Sequence, residues 1–230
     1  MKKSTRLALS FVAGFCDTVT FVHLSGLFVA HVTGNFVVFA AAIAQGAESE
    51  AYIKLLTFPV FIVAVMLGAW VYGKPSQSQQ PHRYIRLLSL MTLLLIVIGM
   101  VAALLKVQQG SIHLGIIDYV LAMVLVGAMG VQNSIHYFVP GPMTTVMTGN
   151  VMQLTATFTR KLTGNTVTQH PKPETKAQPS GVNPIILISL FVLGCALAAL
   201  VAGEYGMSSI LVPAGIMILI VIKEKLSNGN

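Results

Sequence analysis

An aspartate stands inside an apolar run at Asp17, followed by Thr18, Thr20 and His23 within the segment GFCDTVTFVH at 14–23. A carboxylate in mid-membrane costs about 2.5–3.5 kcal/mol on the insertion scale. Side chains kept there against that cost face a bundle interior or a water-filled cavity, where they contact ions, protons or substrates. The plainer alternative is a structural aspartate bonded to neighbouring Thr or backbone groups. Two further polar features share this apolar setting. Thr33-Gly34-Asn35 and Thr148-Gly149-Asn150 each follow a glycine, Gly26 or Gly141, at the same spacing. Thr and Asn accept from the backbone N–H groups that open a helix, and glycine permits a sharp turn and close approach. Half-helices beginning near Phe36 and Val151 would aim their positive ends inward, and helix N-termini attract anions. The spacing therefore predicts two broken or re-entrant segments meeting at one central site for a small anionic or zwitterionic solute. Unbroken helices, with Gly34 and Gly149 serving close packing, are the alternative.

The candidate binding residues are Asp17, Thr18, Thr33, Gly34, Asn35, Gln132, Asn133, Thr148, Gly149 and Asn150. Asp17 would be the coupling or substrate-contact residue, and Gln132 and Asn133 would be hydrogen-bonding partners. His23, His31 and His136 lie near these positions, and a histidine can relay protons near neutral pH. A lone histidine in such a helix is also a common packing residue. No HExxH, paired cysteines or dense His/Asp cluster points to a metal, and no nucleotide or nucleophile-elbow motif points to a cofactor or catalytic residue. Asp118 lies near a helix start, where the dipole favours it as a cap.

These residues need helices that cross a bilayer to position them. The chain has 230 residues, 55% hydrophobic and 9% charged, with mean hydropathy +0.79. A soluble domain carries about 25% charged residues, so the fold class is an all-α integral membrane protein and the first partner is the lipid bilayer. The net charge of +7 fits the positive-inside bias of membrane loops and does not indicate nucleic acid. Cys16 and Cys195 both lie in apolar runs and imply packed thiols. Apolar stretches cover 7–24, 27–44, 55–72, 87–105, 114–138, 143–158, 184–202 and 208–222. Lys2, Lys3 and Arg6 before the first stretch resemble a signal peptide, but no small-residue cleavage site follows, so an uncleaved first segment is expected. The longest polar interruption, 160–183, reads as an exposed linker.

Two halves are legible, 1–110 and 111–230. Aligning the two motifs pairs Asp17 with Gln132, Thr18 with Asn133, Gly26 with Gly141 and Asn35 with Asn150. At a second offset Phe61, Leu67, Val71 and Gly73 pair with Phe191, Leu197, Val201 and Gly203. A third Thr-Gly-Asn, at 163–165, lies in the polar linker without the upstream glycine, so context carries the signal. If each half makes three net crossings, the repeats are inverted and 12 of the 14 Lys and Arg fall inside. Eight full spans would give parallel 4+4 repeats and 11 inside. Both arrangements leave the termini cytoplasmic.

The runs Gly14–Asp17 and Gly26–Asn35, with His31-Val-Thr33-Gly34-Asn35 inside the second, resemble the first-half signature of the YoaK-type membrane proteins. The runs Gly130-Val-Gln132-Asn133 and Thr144-Thr145-Val-Met-Thr148-Gly149-Asn150 are similar to its second half. That resemblance implies a bacterial multi-pass inner-membrane protein with six segments from an uncharacterised family, and it implies no substrate. The function expected from the residues is a secondary transporter or permease for a small solute. A membrane enzyme acting on a lipid or quinone, or a non-catalytic scaffold, are the competing classes. A second copy of the chain is a further candidate partner.

Overall fold

The computed structural model describes residues 1–46, 48–73, 80–105, 115–139, 141–163 and 182–228. They form α1 (Lys3–His23), α2 (Gly34–Ala44), α3 (Glu48–Tyr72), α4 (Gln80–Leu104), α5 (Ile116–Phe138), α6 (Met147–Thr163), α7 (Pro184–Tyr205), a 3-10 turn (Gly206–Ile210) and α8 (Leu211–Asn228). No strand occurs among the described residues. Most of the expected linker, with the end of the third Thr-Gly-Asn, lies outside them. Local sequence explains the helix starts. Pro184 opens α7, where a missing N–H costs nothing, and Asn183 accepts from the Ile185 amide at 3.0 Å. Asp118 in the first turn of α5 accepts from the Gly115 amide at 2.9 Å, the capping role its position suggests.

Among the described residues, five helical segments are long and apolar enough to cross a bilayer: Lys3–His23, Ala51–Tyr72, Arg83–Leu104, Ile116–His136 and Pro184–Ser227. The last joins α7 and α8 through the 3-10 turn, where Gly206 adopts φ 52°. The protein is therefore a membrane protein. Its outward side chains are hydrocarbon, including Val63, Met66, Trp70, Leu193 and Leu200, so lipid can cover them. At 1.5 Å per residue α2 is about 16 Å long, half the thickness of the hydrocarbon layer.

Glycines set the closest helix contacts. Ser10 donates to the Leu187 carbonyl at 2.8 Å, and Gly14 faces the Phe191 carbonyl, so α1 and α7 run in the same direction. Gly194 faces the Phe11 carbonyl from the other side. The α3–α5 pair uses the same device: Gly130 lies against Ala64 and the Phe61 carbonyl, and Gly68 against Ser134, again with the two helices parallel. By contrast α4 and α8 are antiparallel, with Gly99 against Leu211 and Tyr84 hydroxyl donating to Glu224 at 2.5 Å. α2 lies antiparallel on α3 through the ring pairs Phe36–Phe58 and Phe39–Tyr52. α6 packs on α7.

Polar ties close the bundle at both ends. At one end Thr5 and Tyr84 both donate to the buried Glu224, joining the starts of α1 and α4 to the end of α8. At the other, His23 at the end of α1 pairs with Asp118 at the start of α5, 3.2 Å away. α1 and α5 are thus antiparallel neighbours.

A methyl group built on Gly194 would stand 2.3 Å from the Phe11 carbonyl oxygen and 3.0 Å from the Phe15 nitrogen, both backbone atoms that cannot rotate away. Gly194→Ala is expected to destabilise the protein by about 1–3 kcal/mol, despite the gain in helix propensity. Gly215→Ala, where nothing lies within 4 Å, should cost nothing. Thermal unfolding of both variants in detergent checks the pair.

Candidate functional site

Asp17 lies fourteen residues beyond the start of α1, about two-thirds of the way along it. Beyond His23 the chain turns at Ser25 and Gly26, whose φ values are 50° and 86°, and runs back along α1 as an irregular strand. This return brings the amides of Val29 and Ala30 to one oxygen of Asp17, at 2.8 and 2.6 Å. The other oxygen takes Nδ1 of His31 at 2.5 Å. Asp17 is thus the anchor of the returning loop, supplying acceptors for amides buried in the bundle. α2 then starts at Gly34, beside the middle of α1 rather than beyond its end.

Asn35 completes the anchorage. Its side-chain oxygen accepts from the Phe28 amide at 2.8 Å, and its amide donates to the Phe28 carbonyl at 2.7 Å and to Thr57 at 2.9 Å. The expectation that Thr33 or Asn35 would cap a helix beginning near Phe36 is not met. Thr33 is the residue before the helix but makes no side-chain cap bond, and Asn35 grips the loop instead. The first amides of α2 close on themselves, Gly34 to His31, Asn35 to Val32 and Phe36 to Thr33, at 2.8–3.3 Å. The free donors on which an anion site would depend are therefore already used.

The second loop repeats the plan with neutral groups. Gln132 on α5 donates to the Leu9 carbonyl at 3.0 Å and to Thr144 at 2.9 Å. Asn133 accepts from Thr145 at 2.7 Å, and His136 contacts Thr144 at 2.6 Å. Asn150 donates to the Met143 carbonyl at 2.8 Å. Asn150 and Met143 are separated by the same interval as Asn35 and Phe28. α6 begins at Met147, four residues before the expected Val151, so the second Thr-Gly-Asn lies inside its first turn. The guanidinium of Arg6 lies against Gly141, at the bend of this loop, and donates to the Pro142 carbonyl at 3.1 Å.

A cavity of about 520 Å³ opens beside the first loop. Asp17, Thr18 and Phe21 of α1, Phe28, His31, Thr33 and Gly34 of the loop and helix start, and Phe191 and Cys195 of α7 line it. Its wall is mainly hydrocarbon. His31 packs edge-on to Phe191 with ring centres 5.6 Å apart. The histidine side chain is 35% exposed against 5% for Asp17, so the cavity meets the imidazole first. Phe21 and Thr33 on the rim are exposed, as are Val22 and Val37 next along the chain. The cavity therefore lies on the flank of the bundle.

Four of the ten sequence candidates, Asp17, Thr18, Thr33 and Gly34, share this cavity, and Asn35 stands behind it. Gln132, Asn133 and Asn150 hold the other loop, while Thr148 and Gly149 are exposed on α6. Among the described residues, this cavity is lined by members of the first motif and not of the second. Phe28 and His31 were signalled by lying between the paired Gly26 and Thr33. Phe191 and Cys195 come from α7 and carry no local signal. The three histidines have separate partners, Asp118, Asp17 and Thr144, and no group of three or more His, Cys, Asp or Glu is placed to hold a metal ion among the described residues.

The family model described as "Protein of unknown function (DUF1275)" matches residues 6–223, nearly the whole chain. No curated protein and no solved structure matches it.

Asn35→Ala removes three hydrogen bonds and leaves both polar groups of Phe28 without that partner, an expected loss of about 2–3 kcal/mol. Asn150→Ala removes one good bond and should cost about 1 kcal/mol. Hydrogen exchange of peptides covering 27–33 checks the assignment: their amides should exchange faster in Asn35→Ala and not in Asn150→Ala.

Proposed function

The chain belongs to the DUF1275 family of proteins of unknown function, and from that premise we propose that it is a permease built from two inverted halves, moving a small solute past the Asp17–His31 site. The observation that carries this reading is the re-entrant loop held in the interior by a buried carboxylate and opening onto a cavity. Irregular backbone at membrane depth occurs where it lines a cavity or is buried in protein, and broken helices with that placement are a transporter device. The YoaK-type resemblance of both signatures agrees with this architecture.

Several features support the inverted repeat. The pairing of α1 with α7 is matched by that of α3 with α5, and that of α2 with α3 by α6 with α7. Asp17 and Gln132, and Asn35 and Asn150, hold equivalent loop positions under one sequence offset. α1 and α5, equivalent under that offset, run antiparallel. The apolar segment Pro184–Ser227 is 44 residues long, about 66 Å if straight, twice what a bilayer needs. Its break at Gly206 fits two crossings, giving six in total: α1, α3, α4, α5, α7 and α8. The halves are 1–110 and 111–230. Lys2, Lys3, Arg6, Arg83, Arg86, Lys223 and Lys225 then share one side with both termini, which the positive-inside rule makes the cytoplasmic face of a bacterial inner membrane.

Two experiments test these statements. With six crossings Gly46→Cys lies outside and Ser227→Cys inside, so a membrane-impermeant maleimide added to intact cells should label the first and spare the second; protection of both supports eight spans. In proteoliposomes, Asp17→Leu should abolish uptake of whichever solute the wild type carries. A broad solute panel, including cations, neutral amphiphiles and zwitterions, that shows no Asp17-dependent flux would sink the permease reading.

A further inference from the structure

The chemistry of the cavity deepens that reading by naming a solute class. We infer that the cavity binds a lipophilic organic cation, a protonated amine on an alkyl or aryl body, in direct competition with a proton on His31. The inference takes the permease site as its location but depends only on the geometry of Asp17, His31 and their surroundings.

The charge accounting comes first. Asp17 directs one oxygen at two backbone amides and the other at Nδ1 of His31. A carboxylate only accepts, so Nδ1 carries the hydrogen. The second ring nitrogen, Nε2, then bears a lone pair when the imidazole is neutral, and it has no protein partner among the described residues. With His31 neutral the pair carries one negative charge in a largely apolar wall. That charge can be balanced in two ways. A proton can add to Nε2, or an ammonium group can donate to the Nε2 lone pair. Both cannot occupy one nitrogen, so binding of the amine expels a proton from Nε2 to water and a proton expels the amine.

The walls select the rest of the ligand. Phe21, Phe28 and Phe191 line it with aromatic rings, whose faces attract cations and whose carbon bodies bury hydrocarbon. The volume of about 520 Å³ suits a molecule of drug-like size. The rim, at Phe21 and Thr33, lies on the lipid-facing flank, so an amphiphile dissolved in the bilayer reaches it sideways. The first α2 amides are engaged within the helix start, so they offer a small anion no donors there.

Among the described residues around the cavity, the ionisable neighbours of His31 are few. α7 contributes Cys195 to the cavity wall, and α1 places Cys16 beside Asp17 in the buried core. α2 carries no ionisable residue, and His31 is the one such residue in the loop 24–33. On α3, Lys54 lies one turn before Thr57, behind Asn35.

The test uses the full-length protein in nanodiscs and 4-phenylbutylamine, which stays cationic throughout the range. Calorimetry at pH 8 and pH 5.5 should give a dissociation constant more than about tenfold weaker at the lower pH, as competition between the amine and a proton for Nε2 of His31 requires. At pH 5.5, comparison of buffers with different ionisation enthalpies should show close to one proton released per amine bound. His31→Gln should make binding independent of pH across this interval. Asp17→Asn retains an acceptor for the Val29 and Ala30 amides, and His31 can reverse its tautomer, so the loop persists while the charge is gone; amine binding should weaken more than about thirtyfold. Unchanged hydrogen exchange at 27–33 certifies that variant's loop. Equal affinity at both pH values, a persistent pH dependence in His31→Gln, absence of amine binding, or tighter binding of 4-phenylbutyrate would each overturn the inference. Amine binding with these signatures but no flux would overturn the permease reading and leave this one standing. Amine flux with pH-independent binding would do the reverse.

Discussion

The structure depends on one requirement: backbone amides carried into a lipid-embedded interior must find acceptors. Asp17 meets it for the loop between α1 and α2. A single carboxylate offers several lone pairs, and here they take Val29, Ala30 and His31 together. Because those residues are fixed at the depth of Asp17, α2 must begin there and run back toward the surface it came from. Its short length, its antiparallel packing on α3 and the open space beside the loop all follow from that starting point. An aspartate that looks costly in an apolar helix is thus offset by the groups it satisfies.

The second loop shows how the same path can be held without charge. Gln132 and Asn133 act through hydroxyls of Thr144 and Thr145 rather than through backbone amides. The space at its bend is occupied by the guanidinium of Arg6, reaching from α1 to the Pro142 carbonyl and pressed against Gly141, whose φ of 140° already calls for glycine. One loop therefore borders a cavity beside the Asp17–His31 pair, and the other has a long side chain at its bend. The two loops thus differ in the chemistry that holds them.

The frame around the loops is made rigid by backbone-to-backbone approach. Gly14 and Gly194 bring α1 and α7 close enough for carbonyl oxygens to meet glycine carbons, and Gly130 does the same for α3 and α5. Lipid provides no hydrophobic drive between helices, so such packing supplies the association energy. Phe191 and Cys195 reach the Asp17 cavity because that close contact with α1 places them there. Site and scaffold are thus coupled at α7.

Much of this was legible in the residues. Composition dictates a helical membrane protein, since nothing else satisfies a backbone in lipid. The aspartate in an apolar run marked a group that needs partners, and it has three in the first loop. Local pattern did not reveal what each polar group holds. Asn35 reads as a helix cap but binds Phe28, because the loop folds back over a distance no helical periodicity encodes. The motifs read as two halves of one site, yet only the first borders the cavity, because Arg6, 135 residues from Gly141, occupies the second bend. By itself the sequence determined the solvent, the helices and the places where they break. Tertiary structure decided which amides Asp17 accepts, which histidine it pairs with and which face of α7 completes the wall, because those contacts join residues far apart in the chain.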